Sequence, residues 1–193
     1  LRPLPVSGLK LGYQYGYWTA EPRPATDLIA AAQRAEALGY SSLLVSDHFG
    51  AQYGLVPALT SAAEATTTLR IGSLVACNDF RHPVMHAKDL ATIDVLSGGR
   101  AYFGVGAAWF DREAAGLGFP FPETKVRFEW LEETLQLAHQ MWSGEVKPFN
   151  GKHFQLAEPI CQPQPLSQPH PPIMIGGMGE QKTMRLVAQY GDA

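Results

Sequence analysis

Cysteine is nearly absent from this chain, with only Cys77 and Cys161 among 193 residues. Two thiols are too few for a disulfide framework, so the composition points to a reduced, cytoplasmic setting. Long apolar runs are missing as well. No stretch approaches the ~20 residues that cross a bilayer, and Leu1-Arg2-Pro3-Leu4-Pro5 lacks the apolar centre of a signal peptide. Charge of one sign is not in excess: 15 Lys+Arg against 18 Asp+Glu leave a net −3. A general nucleic-acid binder would want a basic face, so neither nucleic acid nor membrane is expected as a partner.

What is present is a core. Hydrophobic residues make up 46% of the chain, and a chain of this length can bury roughly 70% of its unfolded surface, so residues 1–193 are expected to form one domain. The organising stretch runs from Leu69 to Trp109. Leu69 to Ala76 has the composition and length of a strand. Pro83 suits a first helical turn. Val84, Met85, Leu90, Ala91, Ile93 and Leu96 form an apolar face, ended by Ser97-Gly98-Gly99. Ala101 to Val105 is the next strand, closed by Gly104-Val105-Gly106. Before this stretch, Leu9 to Trp18 reads as a first strand. Thr26 serves as N-cap for a helix carrying Leu28, Ile29, Ala32, Ala35 and Leu38, with Gly39 at its end. Ser42 to Ser46 reads as a second strand, leading into Asp47-His48, and Pro57 to Thr66 as a short helix. Strands near positions 10, 42, 70 and 101 are spaced by ~30 residues, the size of a βα unit, and predict a parallel α/β fold.

A fourth helix is expected from Thr124 to Gly144. The pattern then breaks over residues 144–172, read as an insertion. Val146–Phe149 and Lys152–Leu156 flank Asn150-Gly151, a hairpin signal, and six prolines lie among the fourteen residues from Pro159 to Pro172. Ile173 to Ile175 is a fifth strand, Gly176-Gly177-Met178-Gly179 its exit turn, and Glu180 to Tyr190 a helix. About five βα units fall short of the ~250 residues typical of a (β/α)8 barrel. The expected architecture is therefore the N-terminal part of a TIM-type barrel, with a five-stranded open sheet as the other reading.

Polar and glycine residues just after parallel strands line a pocket at the strands' carboxyl ends. His48 is the acid/base candidate there; the plain alternative is an imidazole tied to loop carbonyls, with Asp47 capping the turn. The turn at Gly176 and Gly177 opens a helix and suits a phosphate, or is a simple strand-to-helix turn. Gly104-Val105-Gly106 lacks the third glycine of a dinucleotide fingerprint. His82 and His86, four apart, could share a helix face, but no HExxH glutamate or third ligand accompanies them, and no metal is expected. Cys77 has no basic neighbour in sequence and reads as filler. Trp130 and Trp142 read as packing residues.

The segments AEALGYSSLLVSDH, TTTLRIGSLVACNDFRHPVMHAKDLATIDVLSGGR, GVGAAW and PPIMIGG, in this order and spacing, resemble the bacterial luciferase-like monooxygenase superfamily, and within it the branch of probable coenzyme F420-dependent oxidoreductases. The resemblance implies a (β/α)8 barrel with an insertion after the fourth helix, an oxidoreductase or monooxygenase activity on a small organic substrate, and deazaflavin F420 as cofactor, with FMN as the alternative. It implies His48 beside the cofactor as the catalytic residue, with Asp47 among the cofactor-binding residues. Leu74 and Val75 would form a bulge with a cis peptide backing the ring, and Asn78 would reach a ring or ribityl group. The backbone at Gly106, Ala107 and Ala108 would lie close to the ring plane, and Gly176 and Gly177 near the phosphate. Trp109 stands where sugar-phosphate dehydrogenases of the family carry a glutamate, which suggests an apolar substrate wall. A homo-oligomer, taken as a dimer, is expected. A shortened, non-catalytic or partner-dependent homologue is the rival reading, and a partial chain kept soluble by self-association a third.

Overall fold

The computed structural model describes residues 10–16 and 25–192, apart from the side chains of Ala25 and Thr26. Its frame is a parallel sheet built from β1 (Gly12–Tyr15), β2 (Ser42–Val45), β3 (Arg70–Ser73), β4 (Ala76–Cys77), β5 (Ala101–Gly106) and β8 (Ile173–Gly176). A small antiparallel pair, β6 (Phe149–Asn150) and β7 (Gln155–Leu156), stands apart from it. β1 pairs with β2, β2 with β3, and β5 lies between the third strand and β8. Parallel neighbours need crossovers, and helices supply them: α1 (Ala25–Ala37), α2 (Leu55–Glu64), α3 (Pro83–Leu96), α4 (Asp111–Leu117) with α5 (Thr124–Trp142), and α6 (Lys182–Tyr190). Each long helix touches the next in chain order, so the helices form an arc over one face of the sheet.

The expected elements are present, with corrections. The strand read as Leu69–Ala76 is broken. Ile71 pairs with Ala101, whereas Ala76 pairs with Val105, so five steps on one strand face four on the other. That extra residue is a bulge, and the Leu74–Val75 peptide within it is cis, as the resemblance implied. The first strand is shorter than Leu9–Trp18, and Leu9, Tyr17 and Trp18 lie outside the described residues. Thr26 falls within α1 rather than at its cap. On α3, Met85 and Leu96 are 48% and 51% exposed, so they lie off the apolar face assigned to them. Helix α4 was not expected.

The hairpin turn is also different. Asn150 pairs with Gln155, and the Gly151 N–H donates to the Phe154 carbonyl, giving a four-residue turn over 151–154 in place of a tight Asn-Gly turn. The cause is Glu133 on α5, whose carboxylate accepts from the N–H groups of Lys152, His153 and Phe154. The proline-rich segment is fastened by buried Asp94, which accepts from Ala101 N and from both N and Oγ of Ser167. Trp142 packs as expected, its indole N–H donating to Ala87 O at 3.0 Å. No described helix is long and apolar enough to cross a membrane.

Candidate active site

Three strand ends meet around one side chain. A Cβ built on Gly106 would approach Val75 Cγ2 at 2.9 Å, and one on Gly176 would approach Val75 Cγ1 at 2.6 Å. Only glycine lets both backbones close on Val75 from β5 and β8. The bulge is anchored from the other side too, because Leu74 N donates to Val45 O at the end of β2. The carboxyl ends of β2, the third strand, β5 and β8 therefore share one rim.

Asp47 and His48 enter this rim from β2. The Asp47 carboxylate is 5% exposed and forms a two-point ion pair with Arg81, Arg81 Nη2 donating to Oδ1 at 3.0 Å. Its Oδ2 also accepts from Cys77 N at 3.0 Å. Burial alone would lower the Arg81 pKa, but the hydrogen bond and charge of Asp47 outweigh it and raise it. Asp47 thus ties the end of β2 to the exit of the bulge through Arg81 and the Cys77 N–H. Cys77 is buried, and burial, with the negative charges of Asp47, Glu113 and Asp79, pushes its thiol far up, so it stays protonated and inert.

His48 is only partly exposed. Its Nδ1 lies 2.8 Å from Glu113 Oε2, and the Phe49 N–H donates to Glu113 Oε1 at 2.7 Å. Trp109 and Phe110 stack on each other at 5.1 Å and meet the imidazole edge-on at 5.9 and 6.3 Å. Trp109 is 60% exposed, so the aromatic wall faces outward beside His48. Glu113 was missed in the sequence. Its signal was an acidic residue in the first turn of a helix ended by left-handed Gly118 (φ +76°).

Ala107 and Ala108 follow β5. Arg127 of α5 donates to their carbonyls at 2.9 and 2.6 Å and lies 4.0 Å over the Phe121 ring. Ala108 takes φ +51°, unusual for a residue with a Cβ. Arg127 is a second residue the sequence did not flag. Past β8, Gly177 adopts φ +147° and packs so closely on Thr183 that a Cβ would meet its Oγ1 at 2.8 Å. The Gly176–Gly179 turn thus leads directly into α6.

Asn78 is buried with its Oδ1 unpartnered among the described residues, and both oxygens of Asp79 share that state. An orphan acceptor at the rim fits a ligand that brings a donor, such as a ring N–H or a ribityl hydroxyl. His82 and His86 do not share a face. His82 caps α3, its Nδ1 accepting from Val84 N at 3.4 Å, while His86 is buried against Phe103. A separate cavity of ≈660 Å³ opens between the amino ends of the strands, lined by Ser42, Arg70, Tyr102 and Asp192. It lies at the end of the sheet opposite the glycine rim.

The profile of the family described as luciferase-like monooxygenase matches residues 8–193. An F420-dependent glucose-6-phosphate dehydrogenase of Amycolatopsis mediterranei is 33% identical over 177 residues, 88% of this chain and 52% of its own. One from Mycobacterium tuberculosis is 36% identical over 160 residues, 78% of this chain and 47% of its own. Among solved structures, an F420-dependent secondary alcohol dehydrogenase in complex with an F420-acetone adduct superposes with a TM-score of 0.81 at 27% identity, covering 95% of this chain and 56% of that one. The monooxygenase RslO1 from Streptomyces bottropensis superposes with a TM-score of 0.82 at 22% identity, over 94% of this chain and 57% of its own, a likeness of fold. The chain spans about half the length of the curated relatives it matches. With the profile covering nearly all of its residues, this chain belongs to the luciferase-like monooxygenase family.

Proposed function

We propose that this chain carries the cofactor rim of an oxidoreductase that binds deazaflavin F420, with FMN as the alternative, and moves hydride between it and a small organic substrate. The observation that carries this reading is the packing of Val75 against Gly106 and Gly176 at the carboxyl ends of parallel strands, with His48 three residues past the end of the neighbouring β2. When bound, the cofactor supplies the redox-active ring. The chain's own residues do the rest. Leu74, Val75, Gly106, Ala107 and Ala108 present close-packed backbone to a flat ring. Asn78 Oδ1 accepts a hydrogen bond from it. Gly176 and Gly177, ahead of α6, receive the phosphate. Asp47 holds the rim together through Arg81. His48 gives or takes the proton of a substrate hydroxyl, and Trp109 forms an apolar wall for that substrate.

F420 is favoured over FMN because relatives named for it reach up to 36% identity. The FMN-bound 3,6-diketocamphane monooxygenase, at 18% identity and a TM-score of 0.74, supports the fold alone. The same reading treats residues 1–193 as one domain with 144–172 as its insertion. It also takes the protein as cytoplasmic, with Cys77 and Cys161 free, and as a dimer, since Met85 and Leu96 lie on one stripe of α3 and stay half-exposed. The second reading is a partner-dependent, non-catalytic homologue.

Titration with F420 and FMN, followed by cofactor fluorescence and then by turnover of secondary alcohols, separates the two. Tight F420 binding with turnover supports the first reading, and binding without turnover the second. Within the first, His48→Ala lowers kcat about 100-fold or more, while cofactor affinity stays near that of the parent. A variant that lost only cofactor affinity would contradict the role given to His48.

A further inference from the structure

The imidazole of His48 faces a carboxylate that is itself fully committed. Glu113 stands on α4, 65 residues away in sequence, and its side chain is 8% exposed. One oxygen meets His48 Nδ1 at 2.8 Å and the other accepts from the Phe49 N–H at 2.7 Å. Its perch is firm. Phe119, just past the left-handed cap of α4, donates its N–H to Ala114 O, and its ring packs 5.3 Å from Phe49 and 4.9 Å from Phe80. Three loops, after β2, β4 and β5, are thus locked together around one carboxylate.

We propose that Glu113 is a positioning residue that fixes the tautomer of His48, an assignment resting on the acid/base role given to that histidine above. An ionised carboxylate only accepts hydrogen bonds. Nδ1 therefore carries the proton, and Nε2 is left as the nitrogen with the basic lone pair, the one suited to take a proton from a hydroxyl. When that proton arrives, the carboxylate steadies the resulting imidazolium, so the same contact serves transfer in either direction.

The two-donor arrangement makes the proposal sharp. Glu113→Gln keeps size and shape but offers one acceptor oxygen where two donors must be met. The Phe49 N–H has no alternative tautomer and claims that oxygen. The amide NH2 then faces Nδ1, which must accept, and the ring proton moves to Nε2.

The test is nitrogen NMR of the His48 ring at alkaline pH in the 193-residue chain and its variants, without cofactor. The parent is expected with the proton on Nδ1, Glu113→Gln with it on Nε2, and Glu113→Asp partly restored to the parent form. In turnover, Glu113→Gln is expected to lose kcat by 100-fold or more, on the order of a wrong-tautomer effect, with KM and cofactor affinity little changed. An unchanged tautomer in Glu113→Gln, or a variant that only melts earlier with kcat intact, overturns the proposal. A parent chain that binds neither F420 nor FMN would end the cofactor reading, and the tautomer measurement would still decide the role of Glu113.

Discussion

Val75 is gripped because its two neighbours carry no side chain. The methyl of Gly176→Ala would sit 2.6 Å from Val75 Cγ1, and that of Gly106→Ala 2.9 Å from Cγ2 and 3.2 Å from the Gly176 carbonyl. Backbone on one side and a β-branched side chain on the other cannot rotate away, so the rim must open. Gly176→Ala is expected to weaken F420 binding about tenfold or more and to destabilise the fold by about 1–3 kcal/mol; fluorescence titration and denaturant melts check the two parts. A variant with parent-like binding would show that Val75 does not back the ring. At this scale the letters were informative where a residue type answers a local need. Glycine at a crowded strand end and a polar pair after β2 belong to short stretches, whereas the residues alone read Leu69 to Ala76 as one unbroken strand and the bulge at Leu74–Val75 came from the family resemblance. Glu113 and Arg127 were not legible, because their roles depend on where α4 and α5 land, and each reaches a partner that only the fold brings near.

Among the elements, the insertion depends on carboxylates from the helices beneath it. Asp94, fully buried on α3, accepts from Ala101 N at 3.2 Å and from Ser167 N and Oγ at 2.8 Å each. Asp94→Ala removes the acceptor and leaves the buried Ala101 N–H and the half-buried Ser167 N–H without it. The expected loss is about 2–4 kcal/mol, read from urea melts, with the segment around Ser167 becoming protease-sensitive before the rest. Loss of stability with no local cleavage would mean that Asp94 serves only the α3–β5 turn. The hairpin shows why its sequence reading went astray. Asn150-Gly151 is a strong local turn signal, but three N–H groups converging on Glu133 determine the observed turn. Likewise α3 was located correctly from Pro83 to Leu96, while Met85 and Leu96 were assigned to the wrong face, since periodicity counts apolar letters without knowing which neighbour covers them.

For the molecule as a whole, two buried groups set opposing pH dependences. His86 is held neutral chiefly by burial, with the Arg81 charge adding to it, and its pKa falls from 6.5 to about 4. Between those values the unfolded chain binds a proton that the folded one does not, so stability falls as pH drops through this window. Asp79 does the reverse. Burial, partly offset by Arg127, lifts its carboxyl from 3.8 to about 6, so the folded chain holds the extra proton and stability falls as pH rises from 3.8 towards 6. The two contributions nearly cancel between about pH 4 and 6. Removing either should expose the other. Relative to the parent, Asp79→Asn should lose more stability at pH 4 than at pH 6, and His86→Asn should lose more at pH 6 than at pH 4, each by about 2 kcal/mol across the window. Urea melts at the two pH values measure this, and the variant-minus-parent difference removes every group the substitutions leave alone. Below that window Glu36 takes over. Slight burial pushes its pKa up, but the N–H groups of Thr68, Leu69 and Thr67 outweigh that and bring it from 4.5 to about 2. Its stabilisation is therefore complete above pH 4.5 and is lost as pH falls towards 2. Glu36→Gln should flatten the acid limb, and a variant as acid-sensitive as the parent would assign that limb to other carboxylates.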